Sequence, residues 1–156
     1  MLSKLTSFLK NAKSIVIIGM GNELRGDDAV GLVVVRLLKP YTTKKMHVYE
    51  GHMNPEVFIS PACRLLPTHL LIIDAAELHR KPGDWRILSS TEIQEGLFTT
   101  HAIPAVEIAT EIQRRCGANV AFLGIQPKSR EISLNLSKEC QEAAKKISDI
   151  IHKITR

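Results

Sequence analysis

An apolar run, Ser14-Ile15-Val16-Ile17-Ile18, leads into a glycine-rich turn, Gly19-Met20-Gly21-Asn22-Glu23-Leu24-Arg25-Gly26-Asp27-Asp28, and a helix-like apolar stretch follows at once from Ala29 to Leu38. This order constrains the fold more than any other feature of the chain. A short β-branched run bounded by glycine reads as a buried strand, and a helix entered directly from the turn completes the first half of a βαβ unit. Open α/β sheets bind their ligands at the carboxyl edge, where such turns lie. Two adjacent carboxylates, Asp27 and Asp28, stand at that point.

The same alternation continues along the chain. Met46 to Glu50 reads as a strand and Pro55 to Leu66 as a helix, with a kink or break expected at Pro61 because proline lacks the donor that a helix interior needs. Thr68 to Ala75 gives a third strand, Asp84 to Ser89 a short one for which an antiparallel placement is open, and Asn119 to Gln126 the last. Helices are expected over Pro104 to Cys116 and Ser137 to Lys153, and Ser89 to His101 is the longest irregular piece. The pattern predicts an α/β fold: a single three-layer domain over residues 1–156, with a mostly parallel twisted sheet of about five strands and helices on both faces.

Residues Met1 to Lys13 form an amino-terminal extension in which Leu2, Leu5, Leu9 and Ala12 recur at helical spacing, so an amphipathic helix laid on the core is expected. Ser3, Lys4, Thr6, Ser7 and Lys10 interrupt the apolar residues and no small-residue cleavage site follows, which argues against a signal peptide. No stretch approaches the roughly 18 apolar residues of a membrane span, so no membrane partner is expected. Cys63, Cys116 and Cys140 are odd in number and lack C-x-x-C or zinc spacing, which points to free thiols and a cytoplasmic setting. The net charge of +5 invites a nucleic-acid reading. However, the basic residues are dispersed, and two Tyr, one Trp and four Phe offer little for base stacking, so no nucleic-acid partner is expected.

Gly19 and Gly21 supply the first two glycines of G-x-G-x-x-G, and Glu50 stands where a ribose-binding acid would end the next strand. The third position fails, because Leu24 occupies the place of the glycine. Asp27 and Asp28 would also set negative charge where a pyrophosphate should lie, and the turn has no lysine. A cation suits it better than an anion. On residue types alone, the acids read first as a helix cap that complements the dipole. Two further residues favour chemistry. Asp74 closes the apolar run Leu70-Leu71-Ile72-Ile73, and His101 stands in Thr99-Thr100-His101 just before a helix. If these elements meet at one sheet edge, Asp28, Asp74 and His101 form an O, O, N set for a divalent metal, with His52 and His79 as reserve ligands after other strands.

At these residues the sequence resembles the nickel-iron hydrogenase maturation proteases, whose turn has the form G-x-G-N-x-L-x-x-D-D-x-x-G. Asp74 matches that family's strand-closing acid, His101 its S/T-x-H loop, and Gly124-Ile125-Gln126-Pro127 its carboxyl-terminal strand. The similarity runs from about residue 14 to 152. It implies an endopeptidase that removes the carboxyl-terminal extension of a hydrogenase large-subunit precursor after nickel insertion. It also implies that Asp28, Asp74 and His101 contact nickel supplied by that precursor, with no organic cofactor and a monomeric enzyme. The sequence has no G-x-S-x-G elbow and no H-E-x-x-H helix. Two other readings stay open: a non-catalytic nickel-binding assembly chaperone using the same three residues, and a dinucleotide-binding α/β enzyme with a degenerate turn.

Overall fold

The computed structural model describes residues 2–95 and 102–156. Helix α1 (Leu2–Lys10) leads into β1 (Ile15–Met20), and a 3-10 turn over Gly26–Ala29 opens α2 (Val30–Leu38). Next come β2 (Met46–His52), α3 (Ile59–Arg64), β3 (His69–Ala75), β4 (Trp85–Leu88) and α4 (Ser90–Gln94). Helix α5 (Ala102–Cys116), β5 (Asn119–Ile125) and α6 (Lys138–Thr155) complete the chain. The five strands lie in the order β2-β1-β3-β5-β4. All neighbours are parallel except β4, which runs antiparallel along β5 as an edge strand.

Alternation along the strands explains the two covered faces. Ile15, Ile17, Leu71, Ile73, Ala121 and Leu123 point into one buried cluster shared with α1, α2 and α6. Val16, Ile18, Leu70, Ile72 and Phe122 point into a second one under α3, α4 and α5. This is the expected three-layer α/β domain. Within α1, Leu5 and Leu9 are buried as the stripe predicts, with Ala12 just beyond the helix, whereas Leu2 is exposed at the helix start. The lysines at 138, 145, 146 and 153 all lie on the wet side of α6.

Beyond shifts of one or two residues at helix and strand ends, three features differ from the sequence reading. The stretch from Pro55 breaks before Pro61: a 3-10 turn covers Pro55–Phe58, and α3 starts afresh at Ile59. Pro61 thus falls in the first turn of a helix, where its missing N–H costs nothing. Strand β2 runs on to His52, with an irregularity in which Gly19 pairs with Glu50 but Met20 pairs with His52. Ser89, expected as a strand end, instead caps α4 in a reciprocal capping box with Glu92.

Strand order places the functional edge. From β1 the chain goes outward to β2, then returns across to β3 on the other side of β1, so the topological switch lies between β1 and β3. Ligands of open α/β sheets bind in that crevice at the carboxyl ends. Two glycines let α2 enter it closely. A Cβ at Gly31 would collide with the carbonyl oxygens of Ile73 and, at 2.6 Å, Met20, near the carboxyl ends of the two strands flanking the switch. One at Gly19 would strike the Gly31 carbonyl and lie 2.8 Å from Val35 Cγ2. Gly31 therefore does the helix-packing work that a dinucleotide fold assigns to the position Leu24 occupies here. Gly31→Ala should lower unfolding free energy by at least the about 1–3 kcal/mol typical of overpacking, because backbone cannot step aside. Urea denaturation reads this directly, and a loss below about 0.5 kcal/mol would contradict so close an approach.

Candidate functional site

Asp28 and Asp74 reach the crevice from its two sides. Asp74 lies one residue beyond the last β1–β3 pair, Gly19 with Ile73, so it stands at the carboxyl end of β3 beside Met20. Asp28 follows β1 through the turn, three residues before the Gly31 contact, and its Oδ2 accepts the Asn22 N–H at 3.1 Å. Asp74 Oδ1 accepts the N–H of Ala75 at 2.8 Å. Both are buried to 1% exposure. Two carboxylates buried at one sheet edge are oxygen donors of the kind a divalent cation takes. His101 lies outside the described residues.

Neither aspartate of the turn caps a helix by its side chain, neither at the 3-10 turn nor at α2. The capping expectation is overturned, and the reason for Asp27 lies far along the chain. Its Oδ2 accepts the backbone N–H groups of Lys128 at 2.8 Å and Ser129 at 3.3 Å, and its Oδ1 accepts that of Ser137 at 2.7 Å. A buried carboxylate satisfied by three backbone donors is a strong brace. It ties the loop between β5 and α6 to the turn after β1. Ser137 then caps α6 through its own hydroxyl, which accepts from Cys140 N–H.

The reserve histidines have other neighbours. His52, with φ +49 at the end of β2, sits 3.4 Å from Glu23 and 3.9 Å from Glu50. His79, with φ +53, is exposed and lies 3.6 Å from Glu77. Among the described residues no group of three or more His, Cys, Asp or Glu side chains is arranged to hold a metal ion. Glu50, the possible ribose acid, is instead paired with Arg36 at 2.6 Å and Lys39 at 3.4 Å. That pairing removes the second half of a dinucleotide site.

A groove of about 680 Å³ opens at the same sheet edge, with neither acid in its lining. Asn22 and Arg25 from the turn, Met53 after β2, Glu77 after β3 and residues 127–131 after β5 line it. Gln126 joins two of these walls. Its buried Oε1 accepts the N–H groups of Leu78 at 2.7 Å and Arg80 at 3.4 Å, while its Nε2 donates to Glu77 Oε2 at 3.3 Å and to the Pro127 carbonyl at 3.2 Å. The His79 backbone N–H, and after it the Gln126 amide, hold the Glu77 carboxyl below the usual carboxylate range. The groove thus keeps a fixed anion within three residues of Asp74. Sequence reading quoted Gln126-Pro127 for its resemblance without a role, and the only signal for one was a polar side chain closing an apolar strand.

The thiols lie elsewhere. Cys140 is buried, and burial pushes its thiol up to about 11. Cys63 is likewise pushed up to about 11, first by burial and then by hydrogen bonding with Cys116. Thiols so protonated at neutral pH are poor nucleophiles. Asp27→Ala would leave three N–H groups without their acceptor and should cost about 3–5 kcal/mol. Chemical denaturation checks this, and a change under about 1 kcal/mol would show that the brace carries no weight.

Comparison with known proteins accords with this geometry. The family model described as hydrogenase maturation protease matches residues 32–154. The chain is 34% identical to the hydrogenase 3 maturation protease of Escherichia coli K12 over 113 residues, 72% of each chain. A Methanocaldococcus jannaschii protein provisionally named a hydrogenase maturation protease is 38% identical over 128 residues, covering 77% of this chain and 76% of that one. The crystal structure of a NiFe hydrogenase maturation protease from Thermococcus kodakarensis KOD1 superposes with a TM-score of 0.88 at 25% identity, covering 97% of this chain and 98% of that one.

Proposed function

Because the chain belongs to the hydrogenase maturation protease family and is a peptide-bond hydrolase, we propose that it removes the carboxyl-terminal extension of a nickel-iron hydrogenase large-subunit precursor once nickel is in place. The observation that carries this reading is the pair of buried carboxylates, Asp28 and Asp74, at the β1–β3 switch, on the sheet edge where the open groove also lies. His101, the residue that precedes Ala102 in the sequence, completes an O, O, N set with them. The nickel is cargo of the precursor, not a resident of the enzyme. In this reading the protein works as a monomer in the cytoplasm.

Two carboxylates and one imidazole leave coordination positions open for the ligands that already hold the ion in the precursor. Nickel so engaged fixes the neighbouring peptide bond in the groove and supplies Lewis-acid polarisation. A carboxylate of the pair takes the proton of the attacking water, the C–N bond breaks, and the proton passes to the leaving amine. The same pair without hydrolysis would describe a chaperone. Intact mass of the precursor after incubation separates the two, since a chaperone leaves the mass unchanged.

Asp28→Ala, Asp74→Ala and His101→Ala should each reduce cleavage by about 100-fold or more while circular dichroism stays near that of the parent. Full activity in folded Asp74→Ala would remove it from the site. Cleavage should also require nickel. With apo and nickel-loaded precursors at equal enzyme concentration, both checked for folding, only the loaded form should lose its extension. Equal rates would show that the enzyme does not read the metal, and would leave proteolysis itself standing.

A further inference from the structure

The loop from Lys128 to Ser137 carries a feature that the carboxylates do not use. Ile132 and Leu134 at its tip are 89% and 79% exposed, and Leu24 in the turn after β1 is 60% exposed. Single exposed aliphatics are ordinary, but these three are gathered at one place. The Ser133 N–H donates to the Leu24 carbonyl at 3.0 Å, and the Gly26 N–H donates to the Ser133 carbonyl at 2.9 Å. Ile132 and Leu134, the neighbours of Ser133, are thereby stitched beside Leu24.

This apolar tip is held rigidly outward. Asp27 grips the loop at both ends, through the N–H groups of Lys128 and Ser129 and through that of Ser137. Gly26 at φ +55 lets the loop close over the turn, where an added Cβ would lie 3.1 Å from the Ser129 carbonyl and 3.3 Å from that of Glu131. A loop braced by a buried carboxylate to display two large aliphatics is pre-organised for contact, which lowers the ordering cost of binding. The patch is also continuous with the groove. Arg25 lines the groove next to Leu24, as do Ser129 to Glu131 next to Ile132. Arg25 is exposed and, among the described residues, has no ion-pair partner, unlike Lys128, which pairs with Glu139 at 3.0 Å.

We propose that Leu24, Ile132 and Leu134 dock an apolar stretch of the precursor polypeptide, with a precursor carboxylate placed against Arg25, beside the groove that receives the scissile segment. This rests on the protease reading in naming the precursor as occupant. The patch supplies affinity for a protein substrate from residues that do not touch the nickel, so it sets which precursor is held rather than how fast the bond breaks.

The test uses the full chain and a purified nickel-loaded hydrogenase large-subunit precursor. Ile132→Ser combined with Leu134→Ser, and Leu24→Ser with Arg25→Glu, alter exposed side chains only, so circular dichroism and melting should match the parent. Each pair should raise the Kd measured by surface binding by about tenfold, and the Ile132/Leu134 pair, which lies outside the groove lining, should raise KM by the same factor while kcat stays within about twofold. Unchanged KM and Kd in both variants would overturn the docking surface. So would a parent protein that sediments as a dimer and becomes monomeric on substitution, because the patch would then cover a second copy of this chain. A parent that binds precursor without shortening it would end the protease reading alone, and the change in Kd would still judge the patch. Absence of both binding and cleavage would end both.

Discussion

The site depends on one backbone contact, the seating of Gly31 against the carbonyls of Met20 and Ile73. Those carbonyls lie at the end of β1 and near the end of β3, the two strands that flank the switch in strand order, so the first turn of α2 closes over the crevice itself. A larger residue at 31 would lift the helix and carry Asp28 away from Asp74. Gly19 serves the same approach from the strand side. Interior packing tolerates little slack, and backbone tolerates less than side chains do. The helix axis, the turn and the spacing of the two acids are therefore set together.

Two buried polar groups turn that edge into a groove. Asp27 draws the loop after β5 onto the turn after β1, and Gln126 draws the loop after β3 onto the same post-β5 segment. A buried carboxylate or amide is costly unless its hydrogen-bonding capacity is met. Asp27 meets it with backbone N–H donors, Gln126 with backbone N–H donors on its oxygen and with the Glu77 carboxylate and Pro127 carbonyl on its nitrogen, and both then hold their loops in one arrangement. The wall that carries Arg25 and the wall that carries Glu77 are consequently fixed relative to one another.

The layers, the parallel strands and the placement of Asp74 near a strand end were legible because each follows from local periodicity and a neighbouring turn, whereas a four-residue edge strand such as β4 carries no local sign of its direction. The role of Asp27 was not. Its partners lie 101, 102 and 110 residues away, and an acid ahead of a helix has a nearer explanation in capping. Gln126 was hidden for the same reason, since it reaches 48 residues back to Leu78. Pro61 misled in a smaller way. A helical pattern with a proline inside it predicts a kink, but the break two residues earlier moved that proline into a first turn.

In the proposed reading the enzyme meets its substrate at two kinds of contact, a preformed polypeptide surface and a metal that the substrate brings. Neither has to be strong. Once the polypeptide is docked, the carboxylates see the ion at an effective concentration that for short tethers is on the order of millimolar, so even weak metal contacts are populated. Two oxygen donors and one imidazole suit that task better than a closed cage, which would strip free metal from solution and be blocked before any precursor arrived. Discrimination between loaded and empty precursor then rests on the metal contact alone, because the docking surface is the same in both. An enzyme built this way gains its selectivity for nickel occupancy by keeping its own affinity for nickel low.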